Sequence, residues 1–267
     1  MNQNHEDHRI TCDIKSFYEQ DAKDYDLKRW ISATGEYNDQ IHKKITLSLS
    51  WPINQQWVLE VAIGTGRIAI ELALRGANVV GIDISQAMLN QTKSKIQALG
   101  IYQKVKLVAG NAYTLPFAKG SFDKCVCINA LNHIPNTRRV IQEISRVLKP
   151  GGILVINFTN LWSLYFPIGL IVNLRNRSWR NKVYTHWHTT SQIRRICKEA
   201  NLEICEIQGM FYLPQRLPKI LTLLFKKLDE KMRVSGRWIA PALFLKARKL
   251  SAWGNNDETT SPKLQGR

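Results

Sequence analysis

The amino-acid sequence predicts an α/β fold built on a βαβ unit with parallel strands. A short apolar run at residues 57–62 and a second run ending at Asp83 are typical of buried strands. Gly64 and Gly66 form a tight loop after the first run, and residues 68–73 repeat apolar side chains at near-helical spacing. This order of strand, glycine loop, helix and strand predicts a βαβ unit with a right-handed crossover. Ligands of such folds bind at the carboxyl ends of the strands.

The glycine loop and the acid after the second strand predict a nucleoside ligand with an anionic end. A loop without Cβ atoms lets a ligand approach the backbone, and the free N–H groups of the following helix face the anion. The Asp83 carboxylate can accept both hydroxyls of a ribose. Residues 64–69 also satisfy a loose dinucleotide pattern, which leaves a nicotinamide-dependent oxidoreductase as an alternative. Glu60 argues against it, because a carboxylate there repels a pyrophosphate but can hold a cationic amine.

Residues 60–66 resemble motif I of the class I S-adenosylmethionine-dependent methyltransferases, Glu/Asp-x-Gly-x-Gly-x-Gly, with Ala62 in place of the first glycine. The resemblance implies a Rossmann-like three-layer αβα sandwich. Its sheet is mostly parallel and seven-stranded, with an antiparallel C-terminal strand, and it carries helical cap and lid insertions. The resemblance also implies S-adenosyl-L-methionine as cofactor, with its methionine part at the loop and its ribose at Asp83 and the adjacent Ile84. We expect Ala62 to crowd the loop slightly without abolishing binding, and the cofactor affinity stays open.

The N-terminal segment, residues 1–50, is expected to form a helical cap. Residues 1–13 are polar and are expected to be disordered. Tyr18 and Tyr25 share a helical face, and a further helix is predicted at residues 38–49. In the methyltransferase family a similar segment, Phe-Tyr followed by Tyr-Asp, caps the cofactor pocket. The alternative is an aromatic face packed on the core.

Polar segments after the third and fourth strands line the pocket, according to the same resemblance. Asn111 and Ala112 occupy the place of a family pair that lies near the adenine, and an Asx-turn role for Asn111 is the alternative. Residues 129–134 occupy the place of a loop under the transferable methyl group. Asn129 is a candidate lining residue there, and His133 either acts as a general base or orients the loop.

The rest of the core follows the same alternation. Ser85 is a candidate N-cap, and residues 146–152, Arg-Val-Leu-Lys-Pro-Gly-Gly, are a family signature whose proline and glycines make a turn. The family resemblance implies that the last two strands are an antiparallel pair. The predicted later strands are at residues 105–109, 125–129, 153–158, 202–213 and 239–246, and the predicted helices are at residues 86–99, 137–148 and 190–201.

Two insertions interrupt the second half of the chain, at residues 161–188 and 217–232. Both carry large apolar side chains among basic ones. The most apolar run of the first, residues 161–174, is too short to cross a bilayer and is interrupted by Pro167 and Gly169. We expect the two insertions to form a lid or wall over the pocket of an apolar acceptor. A dimer contact, an interfacial segment and a plain core-facing helix are the alternatives. His186 and His188 lie in the first insertion and are further candidates for a general base.

Length and composition set broad limits. A chain of 267 residues, 44% of them hydrophobic, can form one large core with a small cap. We expect a cofactor-binding core at residues 51–160, a C-terminal part of the same domain at 161–250 and a disordered tail at 251–267. Five cysteines with no signal peptide favour a reduced, cytoplasmic protein, and their spacing predicts no metal site.

The basic excess is uneven and admits several partners. Of the net charge of +17, residues 1–150 carry +5 (19 Lys/Arg against 14 Asp/Glu) and the remainder carries +12. Such an excess attracts nucleic acid, an anionic membrane surface or an acidic substrate, or it is simply solvated. Peripheral membrane contact by the C-terminal half and a homodimer are both retained as hypotheses.

The leading hypothesis is an S-adenosylmethionine-dependent methyltransferase. We expect it to act on an O, N or C atom of a small, apolar or aromatic acceptor. An RNA methyltransferase or RNA-binding module is the alternative that the charge favours. No nucleic-acid partner is expected, because we find no appended RNA-binding domain in the sequence and no Asn-Pro-Pro-Tyr-like tetrad.

Overall fold

A seven-stranded sheet runs through the computed structural model, which describes residues 3–163, 166–167, 170–171, 185–211 and 237–251. The strand order is β3-β2-β1-β4-β5-β7-β6. Five neighbouring strands, β3, β2, β1, β4 and β5, run parallel to one another. Strand β7 is antiparallel to both of its neighbours, β5 and β6. The predicted mostly parallel sheet with an antiparallel C-terminal strand is confirmed. The strands are β1 (Trp57–Val61), β2 (Asn78–Asp83), β3 (Val105–Ala109), β4 (Phe122–Cys127), β5 (Leu148–Thr159), β6 (Leu202–Met210) and β7 (Ala242–Lys249).

Helices cover both faces of this sheet. One face packs Leu59 of β1 with Ile144, and the other packs Val58 with Ile45 and Leu72. Both faces of the strands are therefore buried, which explains why their sequences are continuous apolar runs. The helices of the described residues are α1 (Gln3–Asp21), α2 (Tyr25–Trp30), α3 (Ala33–Ser50), α4 (Arg67–Leu74), α5 (Gln86–Ala98), α6 (Thr137–Val147) and α7 (Thr190–Glu199), with short 3₁₀ turns at Leu131–His133 and Arg237–Ile239.

Local capping sets several of the boundaries. The Ser85 hydroxyl accepts a hydrogen bond from the Met88 N–H at 3.2 Å, which confirms the predicted N-cap of α5. Helix α3 begins before the predicted residue 38, because the Ser32 hydroxyl accepts from the Gly35 N–H at 3.1 Å. The predicted turn at residues 149–152 lies inside β5, where it interrupts the pairing with β4 between Leu148 and Ile153.

The N-terminal residues correct one expectation. Residues 3–13 begin helix α1 and are not disordered. Ile10, Ile14 and Tyr18 lie four positions apart along α1 and are all partly buried, so they form the contact face of this helix.

The insertion at 217–232, most of the insertion at 161–188 and the tail from residue 252 lie outside the described residues. At the base of the first insertion, Asn160 forms a bridge with His188. Within the described part of the chain, every helix is too short or too polar to span a bilayer.

Candidate functional site

A cleft opens at the carboxyl ends of the central strands. It contains about 1030 Å³ of space between protein atoms, including solvent at its mouth, on the scale of small-molecule sites. Ten of the predicted cofactor residues line it together with His133, whereas Gly66, His186 and His188 do not. The predicted residues that line the cleft are Tyr18, Tyr25, Glu60, Ala62, Gly64, Asp83, Ile84, Asn111, Ala112, Asn129 and His133.

The loop after β1 turns through three residues with left-handed backbone conformation. Ala62, Gly64 and Gly66 have φ values of 57°, 56° and 78°. A Cβ at Gly66 would lie 2.6 Å from Thr92 Cγ2, so only glycine fits there, whereas a Cβ at Gly64 would meet open space. Left-handed conformation costs an alanine about 1 kcal/mol. The consequence of Ala62 is therefore backbone strain in the loop.

Asp83 ties the end of β2 to this loop. Its Oδ2 accepts from the Gly64 N–H at 2.8 Å, and its Oδ1 accepts from the Ser85 N–H at 2.9 Å. Burial raises the pKa of the Asp83 carboxyl, and the N–H donors partly oppose that rise. Each carboxylate oxygen retains a second lone pair, so the side chain can still accept hydrogen bonds from a ligand.

Glu60 places a second buried carboxyl at the end of β1. The side chain is 3% exposed, and its Oε2 has no hydrogen-bond partner among the described residues. Burial, reinforced by the charge of Asp83, raises the pKa of Glu60 well above its ordinary value, against a contribution from the Ala69 N–H. A buried acceptor without a donor is costly, so a ligand that donates to Glu60 would be bound favourably.

The loop after β3 forms another wall of the cleft. The Asn111 Oδ1 accepts from the Tyr113 N–H at 3.0 Å, which is an Asx turn, and the same residue lines the cleft. The two roles considered for Asn111 are therefore compatible. Tyr113 also lines the cleft, and its hydroxyl accepts from the Asn136 N–H at 3.2 Å.

Asn129 contacts two buried residues, Asn157 and His42, which were not among the predicted site residues. Its N–H donates to Asn157 Oδ1 at 2.6 Å, and Asn157 Nδ2 donates back to Asn129 Oδ1 at 2.7 Å. His42 is fully buried beside them. Burial lowers the pKa of His42 to about 4, against hydrogen bonds to the Asn38 carbonyl and the Asn129 side chain. No local pattern marks His42 or Asn157 as site residues, because Asn129, which both contact, is distant from each of them in sequence.

The three candidate histidines lie in different surroundings. His133 lines the cleft, with its ring centroid 6.1 Å from that of Tyr18. The His186 N–H donates to the Asn132 carbonyl at 2.7 Å, which places this residue beside the loop but outside the described cleft lining. His188 is 4% exposed, with Nε2 at 3.0 Å from the Thr137 hydroxyl, and burial lowers its pKa to about 4. Catalytic roles for all three remain predictions.

Helix α1 contributes two further lining residues, Thr11 and Ile14. Thr11, Ile14 and Tyr18 lie at i, i+3 and i+7, a spacing that places them on one face of a helix. The expectation that residues 1–13 are disordered excluded Thr11 from this face. The helix is anchored by Glu19, whose carboxylate accepts from the Gln86 and Ala87 N–H groups at 2.7 and 3.0 Å. An acid at the first turn of α5 is favourable for the helix dipole.

A second anchor joins α2 to the glycine loop. The Thr65 hydroxyl donates to Asp26 Oδ1 at 2.7 Å, and Lys95 pairs with the same carboxylate. Lys95 also donates to the Thr65 carbonyl at 2.9 Å. Helix α2 is thus attached directly to the loop whose residues line the cleft, whereas α1 is attached to α5.

Similarities to known proteins agree with this geometry. The model of the methyltransferase domain family matches residues 59–156. The chain is 32% identical over 198 residues to a ubiquinone biosynthesis O-methyltransferase of Dechloromonas aromatica, covering 70% of this chain and 83% of that protein. It is 33% identical over 147 residues to a ubiquinone/menaquinone biosynthesis C-methyltransferase of Rickettsia prowazekii, covering 52% and 57%. A solved S-adenosylmethionine-dependent methyltransferase of Thermotoga maritima shares the fold, with a TM-score of 0.63, 17% identity and coverage of 88% and 99%. The chain belongs to the class I S-adenosylmethionine-dependent methyltransferases.

Proposed function

We propose that this enzyme binds S-adenosylmethionine in the cleft and transfers the methyl group to a hydroxyl oxygen of a small, substantially apolar aromatic molecule. The observation that carries the proposal is the buried Glu60 oxygen without a partner, beside Asp83 at the ends of adjacent strands. The methyltransferase family implies the cofactor. The hydrogen-bond acceptors of the cleft fit this cofactor, because a cationic amine and two ribose hydroxyls need carboxylate acceptors at separate points.

In this proposal the two carboxyls and the loop after β3 each bind a different part of the cofactor. Glu60 accepts from the amine of the methionine part, and Asp83 accepts from the ribose hydroxyls. Asn111 and Ala112 lie at the adenine, with the Asn111 amide nitrogen and the second lone pair of its oxygen as polar groups. The hydrogen bonds that the Glu60 and Asp83 carboxylates accept are charge-assisted, and such bonds are stronger than those between neutral groups.

The main task of the protein in methyl transfer is to align the two reactants. When bound, S-adenosylmethionine supplies a methyl group already activated on a sulfonium. The protein therefore has to hold the acceptor oxygen in line with that methyl group and exclude water. Tyr18 and Ile14 of α1 cover the cleft, and they are held there by the Glu19 anchor on α5.

The acceptor side of the cleft favours an aromatic alcohol. Ile14, Tyr18 and Ile134 present apolar surface there, and the His133 imidazole lies beside the Tyr18 ring. We propose that the His133 imidazole takes the hydroxyl proton. The relative from Dechloromonas aromatica is named as an O-methyltransferase of ubiquinone biosynthesis, which fits a phenolic acceptor. The relatives do not favour the oxidoreductase or RNA alternatives.

Two measurements test this proposal. Calorimetry should show binding of S-adenosylmethionine and no comparable binding of a nicotinamide dinucleotide. The Glu60→Gln variant should have a lower affinity for S-adenosylmethionine. A methyl-label assay should then give transfer to catechols and quinols in preference to amines or RNA. Label appearing only on RNA or only on amines would refute the acceptor assignment. His133→Asn should lower kcat while leaving the cofactor Kd unchanged.

We also propose a peripheral contact with an anionic membrane, next to the base of the first insertion. Trp162 is 70% exposed and Trp238 is 55% exposed. Both are attached to Asn160, whose Oδ1 accepts from the Trp162 N–H at 3.2 Å and whose Nδ2 donates to the Trp238 carbonyl at 2.8 Å. Exposed tryptophans on a basic protein suit an anionic bilayer interface. Trp162→Ser with Trp238→Ser should reduce co-sedimentation with phosphatidylglycerol vesicles, and undiminished binding would refute this contact.

A further inference from the structure

Helix α6 reaches across to the wall of the cleft that follows β3. The Leu115 N–H donates to Glu143 Oε2 at 2.9 Å. Arg146 Nη2 donates to the Leu115 carbonyl at 2.8 Å, and its Nη1 donates to the Phe117 carbonyl at 2.7 Å. Three backbone groups of one loop are therefore held by two side chains of one helix.

The two side chains also hold each other. Arg146 Nε and Nη2 donate to Glu143 Oε1 and Oε2, both at 2.9 Å, which is a bidentate pair. The pair lowers the pKa of the Glu143 carboxyl, and the Glu143 partner raises the pKa of Arg146. The planar guanidinium thus serves the carboxylate and two carbonyls at once, a geometry that a lysine ammonium does not reproduce.

The same helix holds the upstream part of the loop. Arg139 Nε donates to the Tyr113 carbonyl at 3.2 Å, and the Asn136 N–H donates to the Tyr113 hydroxyl at 3.2 Å. Tyr113 lines the cleft, as do Asn111 and Ala112 before it. The wall of the cleft is therefore fixed from α6 at residue 113 and again at residues 115 and 117.

We infer that Arg146 and Glu143 are positioning residues for the cofactor, acting through the loop at residues 110–117. Neither side chain lines the cleft within the described part of the chain, so neither touches the ligand. Their effect is to keep the Asn111 and Ala112 backbone in the conformation that receives the adenine. This inference rests on the proposed cofactor placement. It also gives Arg146 a role beyond the turn for which the sequence of residues 146–152 was singled out.

The test compares variants of α6 by calorimetry with S-adenosylhomocysteine as the probe. Arg146→Lys keeps the charge and loses the fork, and Glu143→Gln is a milder second variant that keeps one acceptor oxygen. Arg138→Gln is the matched control, because Arg138 lies on the same helix and pairs with Glu199 instead of the loop. Thermal melting in parallel shows that each variant folds.

Arg146→Lys should raise the Kd about tenfold, or about 1.4 kcal/mol, at unchanged binding stoichiometry. Glu143→Gln should raise it less, and Arg138→Gln should stay within about twofold of the wild type, since exposed ion pairs contribute little. A lower stoichiometry with an unchanged Kd would show a purely structural role and overturn the inference. Equal Kd values for wild type and Arg146→Lys would also overturn it. If the wild type itself fails to bind the probe, the proposed function fails first.

Discussion

Replacing Asp83 with asparagine should separate cofactor binding from stability. An amide keeps one acceptor oxygen, so one of the Gly64 and Ser85 N–H groups loses its partner, at a cost of about 1–3 kcal/mol. Removal of a buried charge offsets that cost. Because burial raises the pKa of Asp83, the ionised carboxyl opposes folding at neutral pH relative to its neutral form. We therefore expect the free energy of unfolding to change by less than about 2 kcal/mol.

The affinity of the same Asp83→Asn variant for S-adenosylmethionine should fall much more clearly. Loss of the charged acceptor at the ribose should weaken binding by about 1–3 kcal/mol, or about 5- to 150-fold. Titration calorimetry measures the affinity, and urea unfolding without ligand measures the stability. An unchanged Kd would refute the ribose assignment.

A second aspartate gives the opposite pattern and serves as the control. Asp123 lies at the other end of the sheet, where its carboxylate accepts from Lys149 Nζ at 2.6 Å and from the Trp57 N–H at 2.8 Å. These partners, opposed by partial burial, lower the pKa of Asp123, so its charge stabilises the fold at neutral pH. Asp123→Asn should cost about 0.5–1.5 kcal/mol of stability and leave the cofactor Kd unchanged.

Three further predictions concern stability. Gly66→Ala should destabilise the protein by about 1–3 kcal/mol in urea unfolding, because its Cβ would meet Thr92 at 2.6 Å; an unchanged midpoint would contradict the loop geometry. Ala62→Gly should change stability by less than about 1 kcal/mol, since relief of its left-handed conformation offsets the entropy of glycine; a large loss would show that the methyl group packs. As pH falls from 6.5 to 4, the unfolded chain should bind protons that His42 and His188, with folded pKa values of about 4, do not, so unfolding free energy should drop by up to about 3 kcal/mol per histidine. The raised pKa values of Glu60 and Asp83 oppose that drop equally in the wild type and in His188→Gln, so the comparison isolates the histidine. His188→Gln should show a smaller drop, and an identical pH dependence of the two proteins would refute the burial of the His188 ring.

The βαβ unit and the residues at its strand ends could be predicted from the sequence. Apolar runs and glycines are local signals, and parallel strands bring their carboxyl ends to one edge whatever the loops do. That geometry predicted Glu60 and Asp83 at one site, whereas Asn111 was predicted from the family resemblance. The antiparallel C-terminal strand followed from the family resemblance, whereas the strand order is known only from the structure.

Helix α1 shows where composition misleads. Its first residues are polar, and a polar stretch without a partner remains disordered. Here the helix has partners, since Ile14 and Tyr18 cover the cleft and Glu19 caps α5. The favourable contacts lie on elements far along the chain, so local composition predicts the wrong state.

The sequence by itself determined the fold class, the glycine loop and the two carboxyls, because each depends on spacing within a few residues or on which end of a strand a residue follows. Only the tertiary structure decided which histidine faces the cleft and what holds its walls. His133 and His188 are both plausible bases by sequence, but one lines the cleft and the other is buried against Thr137. Arg146 lies about thirty residues from the carbonyls that it holds. Such a contact depends on the direction and reach of a side chain from a packed helix, and no periodicity in the sequence encodes either quantity.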